Sequence, residues 1–382
     1  MRPSLAYVYS DELLKYDFGP GHPLKPIRLK LTYELSQAKG LFDHQNIMII
    51  PPRLASDEEV KLFHTPEYVD IVRKLSKVGH GLLDYGDTPA FKGVYEASAT
   101  VVGASLDAVD AVMNGQADHG INISGGLHHA HEDKASGFCV FNDPAVSIAY
   151  LKSKYHLQRI MYLDIDAHHG DGVMFGFYAD PGVLDVDFHE DGRYLFPGTG
   201  FPFESGEKEG EGFKVNVPVL PQTGDEPYLT GFKEIVPSLV RAYRPEFILV
   251  QCGADSHTDD LLAHLQLTTR TYEEIITTMH KLAHEVASGR LVAFGGGGYN
   301  PINVARCWTV VAASLGEVDL TNDVPAEWKS LVRKSTGMMP PDRLRSEPPR
   351  GYDPGRGASQ VRRNIEDLRK RIHLLMGHPS GR

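Results

Sequence analysis

The chain has little cysteine: Cys139, Cys252 and Cys307 are the only three in 382 residues. An odd count at wide spacing excludes a disulfide framework and a zinc-ribbon pattern, and a reducing cytoplasm is the expected setting. Positive charge is also scarce, with 39 Lys and Arg against 50 Asp and Glu, a net charge of −11. General nucleic-acid binders carry a basic balance or patch, so no nucleic-acid partner is expected. No apolar run approaches the roughly 18–20 residues that a membrane span needs. The segment from Met1 to Ser10 lacks the apolar core of a signal peptide. The expectation is a cytoplasmic protein with no membrane partner. Internal repeats and low-complexity blocks are missing too.

What is present is an ordinary globular composition, 41% hydrophobic and 23% charged. Short apolar runs read as strands: Leu5–Tyr9, Gly120–Ser124, Arg159–Leu163, Gly182–His189, Phe247–Gln251 and Leu291–Phe294. Helical segments separate them, including Arg28–Lys39, Ala97–Met113, Asp143–Lys152 with Pro144 in its first turn, and Tyr272–Val286. Ser56-Asp-Glu-Glu59 is a capping-box pattern that opens another helix. This alternation predicts an α/β fold, a single open and mostly parallel sheet with helices on both faces. Gly79–Pro89 reads as a loop, and Phe188–Val219, rich in Gly, Pro and Phe, as a long surface loop. Residues 1–320 are expected to form the main domain and residues 321–382 a C-terminal extension. Within it, Ser335–Ser359 reads as an extended tail, and Ile365, Leu368, Ile372 and Leu375 recur at helical spacing. That helix is expected to dock on the body.

The densest chemistry lies in Leu163-Asp-Ile-Asp-Ala-His-His-Gly-Asp-Gly172, directly after a strand. Strand side chains alternate faces, so Asp164, Asp166 and His168 project to one side. Two carboxylates and an imidazole can hold a divalent metal. Other strands end in the doublet His128-His129, in Cys252-Gly-Ala-Asp255 and in Gly295-Gly-Gly-Gly-Tyr299. Taken singly, each has a plainer reading: a structural His pair, a strand-end Asp, a glycine turn, a packed aromatic. Together they fall where open α/β sheets place their ligands, at the carboxyl ends of strands. Candidate metal ligands are Asp166, His168 and Asp255, and spacing leaves Asp164 and Asp171 open as well. Hydrolysis would also need a base and acid, for which a His pair suits, and an oxyanion donor, for which Tyr299 is placed.

As an ordered set these motifs resemble the zinc-dependent histone deacetylase family and its bacterial acetoin-utilisation relatives. The matching segments are His22-Pro-Leu-Lys-Pro-Ile-Arg28, Gly125-Gly-Leu-His-His129, Gly137-Phe-Cys139, Asp164–Gly172, Phe196-Pro-Gly-Thr-Gly200, Cys252–Asp255 and Gly295–Tyr299. The resemblance covers residues 5 to 320 and implies the arginase–deacetylase fold. It implies metal ligands Asp166, His168 and Asp255, with His129 as general base and then acid. His128 would be an electrostatic partner, Asp164 would orient His128, Asp171 would orient His129, and Tyr299 would donate to the oxyanion. Gly137, Phe138 and Phe196 would wall a tube for a lysine stem, with Leu262 at its rim. Asp87 would grip the substrate backbone, and Arg28 would sit near an acetate-release channel. The cofactor implied is Zn2+, with Fe2+ suited to the same ligands. A structural K+ would lie near Asp164, Asp166, His168, Asp187 and Phe188.

Two departures stand out. Asp187 replaces a common Ser beside the monovalent-cation site, and Leu261 replaces the Arg that binds inositol phosphate in co-repressor-associated members. The resemblance implies a bacterial, stand-alone lysine deacetylase acting on an acetylated protein, such as an acyl-CoA synthetase. The alternatives are deacetylation of a small amine such as an acetylpolyamine, a silent acetyl-lysine binding module, and an arginase-like hydrolase.

Overall fold

The structure, a computed structural model, describes residues 4–376, with side chains as far as residue 369. Its centre is one sheet of eight strands: β1 Leu5–Val8, β2 Ile47–Ile50, β3 His119–Asn122, β4 Ile160–Asp164, β5 Val183–Glu190, β6 Lys214–Val219, β7 Phe247–Gln251 and β8 Leu291–Phe294. The spatial order is β2-β1-β3-β8-β7-β4-β5-β6, and every pairing is parallel. Strands β4, β5 and β7 are buried along their whole length, as parallel strands covered on both faces must be. The expected architecture is the observed one.

The helices are α1 Ile27–Ala38, α2 Asp57–Val60, α3 Pro66–Val78, α4 Val94–Met113, α5 Asp143–Lys154, α6 Asp171–Gly176, α7 Asp225–Tyr243, α8 Thr269–Val286, α9 Pro301–Leu315, α10 Ala326–Thr336 and α11 Ala358–Met376. They form two layers. One joins α3, α4, α5 and α6, and the other joins α1, α10, α9, α8, α7 and α11 through successive neighbours. The Ser56 capping box forms in full, but its helix lasts one turn before Thr65 caps α3. Gly103 in α4 lets that helix lie against the Arg53 backbone, where a Cβ would come 2.0 Å from the Arg53 carbonyl oxygen.

One expectation is corrected. Phe188–Val219 is not a surface loop throughout, because Phe188–Glu190 completes β5 and Lys214–Val219 is the buried edge strand β6. Lys214 obscured it. Its ammonium group is buried and donates to the carbonyls of Val183 at 2.7 Å and Asp180 at 3.2 Å, so a residue that usually marks the surface sits inside. Pro218 is tolerated because β6 ends the sheet.

The chain after α10 runs back over the body. In α11, Val361, Ile365 and Leu368 are buried against β6 and α7, and Asn364 donates to the Pro218 carbonyl at 2.7 Å. Ile372 and Leu375 lie outside the residues whose side chains are described. Among the described residues no helix is long and apolar enough to cross a membrane. The three cysteines are free and buried.

Candidate active site

The carboxyl ends of β3, β8, β7 and β4 are neighbours in the sheet, and the segments that follow β3, β8 and β4 line one cavity. Its lining includes His128, His129, Asp166, His168, Phe138 and Tyr299.

Asp166, His168 and Asp255 are buried, and their ligand atoms lie within 4.8 Å of one another. The His168 Nδ1 is 2.9 Å from Asp255 Oδ2 and 3.2 Å from Asp166 Oδ1. Backbone and amide donors aim both carboxylates. Gln251 Nε2 and the Gly297 N–H each donate to Asp166 Oδ2 at 2.7 Å, and the Ala167 N–H donates to Asp255 Oδ1 at 2.9 Å. Burial alone would lower the His168 pKa, but the two carboxylates override it and raise it to about 10. A cluster that holds a proton this firmly between carboxylates is chemically suited to a divalent cation, and Asp/Asp/His is a donor set for zinc or ferrous iron. Position 297 must be glycine, since a Cβ would fall 2.0 Å from Asp255 Oδ2. Asp164 and Asp171, left open by spacing, instead face the histidine pair.

The His128 Nδ1–H donates to Asp164 Oδ2 and the His129 Nδ1–H to Asp171 Oδ1, each at 2.7 Å. These bonds turn the two Nε2 atoms toward each other, 3.1 Å apart. Burial depresses both imidazoles, but the Asp164 and Asp166 charges lift His128 to about 10. His129 falls to about 4 through burial and the His128 charge. One proton is thus held across the pair. A divalent ion on the neighbouring ligands would lower both values by adding positive charge. Tyr162 also donates to Asp164, at 2.6 Å, and His131 sits 3.3 Å from Asp171 Oδ2.

Tyr299 follows the glycine run and is 8% exposed. Its ring packs edge-on against Phe138 and His168, with centroids 5.8 and 6.4 Å away. Burial, then the Asp255 and Asp166 charges, hold its hydroxyl well above 10, so it remains a donor. Arg28 does not line this cavity. It is buried behind the glycine loop, donating to the carbonyls of Gly296 at 2.7 Å and Gly298 at 3.2 Å.

Apolar walls stand at the mouth. Phe138 has a φ of +67°, a region costly for a bulky residue. It is held there by the Thr88 hydroxyl, which accepts its N–H at 3.0 Å, and by Tyr16, which donates to its carbonyl at 2.7 Å. Gly137 admits the His129 and Phe196 rings, which a Cβ would meet at 2.5 and 2.9 Å. Phe196 is 45% exposed and lines an outer cavity together with Gly137, Asp84 and Asp87. Asp87 is raised to about 6 by burial and by its hydrogen bond with Asp84. Leu262 does not line either cavity.

The residues expected around a monovalent cation are close together, but protein donors already serve several of them. Asp187 accepts from His189 Nδ1 at 2.6 Å and from the Gly170 N–H at 2.7 Å, and the Phe188 carbonyl accepts from Tyr228 at 3.0 Å.

Three supporting residues went unread in the sequence. Asp260 accepts the N–H of Leu262 at 2.9 Å and of Tyr299 at 2.8 Å. Asp143 accepts the N–H groups of Gly126 and Leu127 at 3.0 and 2.9 Å, setting the loop that carries the His pair. Gln251 aims Asp166. All three act through contacts across distant segments, which leave no local spacing signal.

Comparison with known proteins agrees with this geometry. Residues 22–315 match the family model described as the histone deacetylase domain. Acetoin utilization protein AcuC of Bacillus subtilis is 39% identical over 385 residues, 98% of either chain. That of Staphylococcus xylosus is 39% identical over 340 residues, 86% of this chain and 87% of its own. A crystal structure of an HDAC homolog complexed with SAHA superposes with a TM-score of 0.84 at 27% identity, covering 96% of this chain and all of the other. The sheet and its helices are thus the arginase–deacetylase fold, and the chain belongs to the histone deacetylase family, as a hydrolase similar along its whole length to AcuC proteins.

Proposed function

We propose that the protein hydrolyses the acetyl amide of N-ε-acetyl-lysine in proteins. The observation that carries this reading is the cavity lined by Asp166, His168, the His128–His129 pair, Phe138 and Tyr299, with Asp255 within ligand distance of Asp166 and His168. An acetylated lysine stem has lost its charge, so a slot beside Phe138 and Phe196 suits it. Asp87 at the mouth is placed to accept backbone N–H groups, which favours a peptide.

Bound at Asp166, His168 and Asp255, a zinc or ferrous ion supplies a Lewis acid for the amide carbonyl and lowers the pKa of water to about 7. His129, oriented by Asp171, takes the proton from the attacking water. His128, oriented by Asp164, stands beside His129 as the electrostatic partner, with the two Nε2 atoms 3.1 Å apart. The Tyr299 hydroxyl donates to the carbonyl oxygen as it gains charge. The C–N bond then breaks, His129 returns its proton to the leaving amine, and acetate and free lysine are released. A structural potassium ion would lie beside Asp187, which accepts from His189 and Gly170 and which burial raises to about 6. The three free, buried thiols suit a cytoplasmic setting, and the expected partner is an acetylated metabolic enzyme such as an acyl-CoA synthetase.

The test compares acetate release from an acetyl-lysine peptide and from an N-acetylpolyamine by metal-loaded protein, with a chelated control. Faster chelator-sensitive turnover of the peptide is expected. Faster turnover of the polyamine would move the activity to small amines, with Asp84 and Asp87 receiving the cationic tail. No chelator-sensitive turnover of either substrate would refute the reading.

A further inference from the structure

A second group of metal-ligand residues lies at the other end of the sheet. His119 opens β3 at its amino end and is fully buried, paired in register with Leu5 and Leu291. The catalytic loops leave the carboxyl ends of the strands, so this edge faces away from the active site. His280 and His284 come from α8, four residues apart and therefore on one helical face. His280 is partly buried and His284 is exposed.

The three rings form a closed triangle. Centroids are 4.8 Å apart for His119 and His280, 5.2 Å for His119 and His284, and 4.7 Å for His280 and His284. One nitrogen from each lies within 4.8 Å of the others, and His119 Nε2 is 2.8 Å from His280 Nδ1. Tetrahedral zinc with bonds of about 2.0–2.1 Å sets its nitrogens roughly 3.3 Å apart, so ring movements of about an ångström or less would close the set. The far nitrogen of His280, Nε2, lies 3.6 Å from a Glu317 carboxylate oxygen. A carboxylate behind a ligating imidazole fixes its tautomer and raises its basicity.

Gly289, with a φ of +82°, brings its backbone against the outer side of His284, where a Cβ would meet Cε1 at 2.9 Å. His284 is therefore backed on one side and open to solvent on another, which gives an ion a way in.

We propose that His119, His280 and His284 form a second transition-metal site, distinct from the Asp166, His168 and Asp255 cluster, and that an ion such as Zn2+ or Ni2+ there pins α8 to the amino end of β3. Three imidazole donors suit zinc, nickel and copper, and a water completes the coordination. The role is structural, since no cavity connects this edge with the active site among those described.

The test counts metal equivalents on the full chain by equilibrium dialysis against Zn2+ and, separately, Ni2+. Wild type is expected to hold two equivalents of zinc, and H284Q one, with deacetylation by H284Q within twofold of wild type. D255A is expected to keep one equivalent and D255A/H284Q none. Ni2+ should raise the melting temperature of D255A and not that of D255A/H284Q. Because His284 is exposed, its replacement by Gln leaves the fold intact, which the melting temperature of the chelated variant checks. Wild type saturating at one equivalent, H284Q retaining two, or D255A/H284Q retaining one would each overturn the proposal. The count does not depend on which acetylated substrate the enzyme uses.

Discussion

Replacing Tyr299 with Phe removes one oxygen and little else. The residue is fixed by edge-on contacts of its ring with Phe138 and His168, by Asp260 at its backbone N–H, and by Arg28 behind the glycine loop. None of these contacts uses the hydroxyl, so the Phe ring should keep the same place. Deleting one preorganised oxyanion donor costs about 2.7–4 kcal/mol, or roughly 100- to 1000-fold in kcat. KM should change little, because the bond strengthens only as charge develops on the carbonyl oxygen. The buried hydroxyl stays protonated throughout the working range, so the ratio of wild-type to Y299F turnover should be flat from about pH 6 to 9. Acetate release under saturating peptide, with metal content measured on the same sample, checks all three points. A loss below about fivefold with full metal content would remove Tyr299 from the oxyanion role. A ratio that fell steeply with rising pH would mean that the hydroxyl itself ionises, contrary to the burial argument.

Asp255→Ala should weaken zinc binding at the catalytic cluster by more than roughly 100-fold, beyond what outer contacts typically contribute; dialysis at limiting zinc measures it, and full occupancy of that cluster would refute the ligand role. Asp87, raised to about 6, is protonated below that pH and a carboxylate above it. The advantage of wild type over D87A in kcat/KM for a peptide should therefore grow between about pH 5 and 7; an equal ratio across that range would exclude the clamp. His189 and Gly170 donate to Asp187; if these bonds suffice without a cation, replacing K+ by tetramethylammonium leaves turnover within about twofold, and a tenfold loss would show that a cation is needed there.

Much of the site was legible because it lies where apolar runs stop. β7 and β8 have the bounds the sequence suggests, Phe247–Gln251 and Leu291–Phe294, and their polar sequels are the site itself. The elements that escaped notice break the usual signals. β6 contains Lys214, Asn216 and Pro218, yet is buried at every position. α7 contains Gly231 and Pro237 and still runs for 19 residues, because its buried face packs against its neighbours and outweighs local propensity. Site residues followed the same division. Asp166 and His168 are neighbours in sequence and announce themselves, whereas Asp260, Asp143 and Gln251 matter only through hydrogen bonds made after the chain has folded. Leu262 and Arg28, expected at the rim and near a release channel, line neither cavity: Leu262 shares Asp260 with Tyr299, and Arg28 lies behind the glycine loop.

The strand order has a consequence for how the enzyme comes into being. β8, the last strand of the chain, lies between β3 and β7. Without it the sheet falls into two parts, β2-β1-β3 bearing the His128–His129 pair and β7-β4-β5-β6 bearing the three metal ligands. A nascent chain that has not yet placed residues 291–294 can assemble the metal ligands, but it cannot bring them to the histidines or supply Tyr299. Pairings this distant in sequence form late and slowly. Hydrolytic competence therefore arrives only when the sheet is joined, and a chain truncated before β8 is expected to be inert even if it binds zinc.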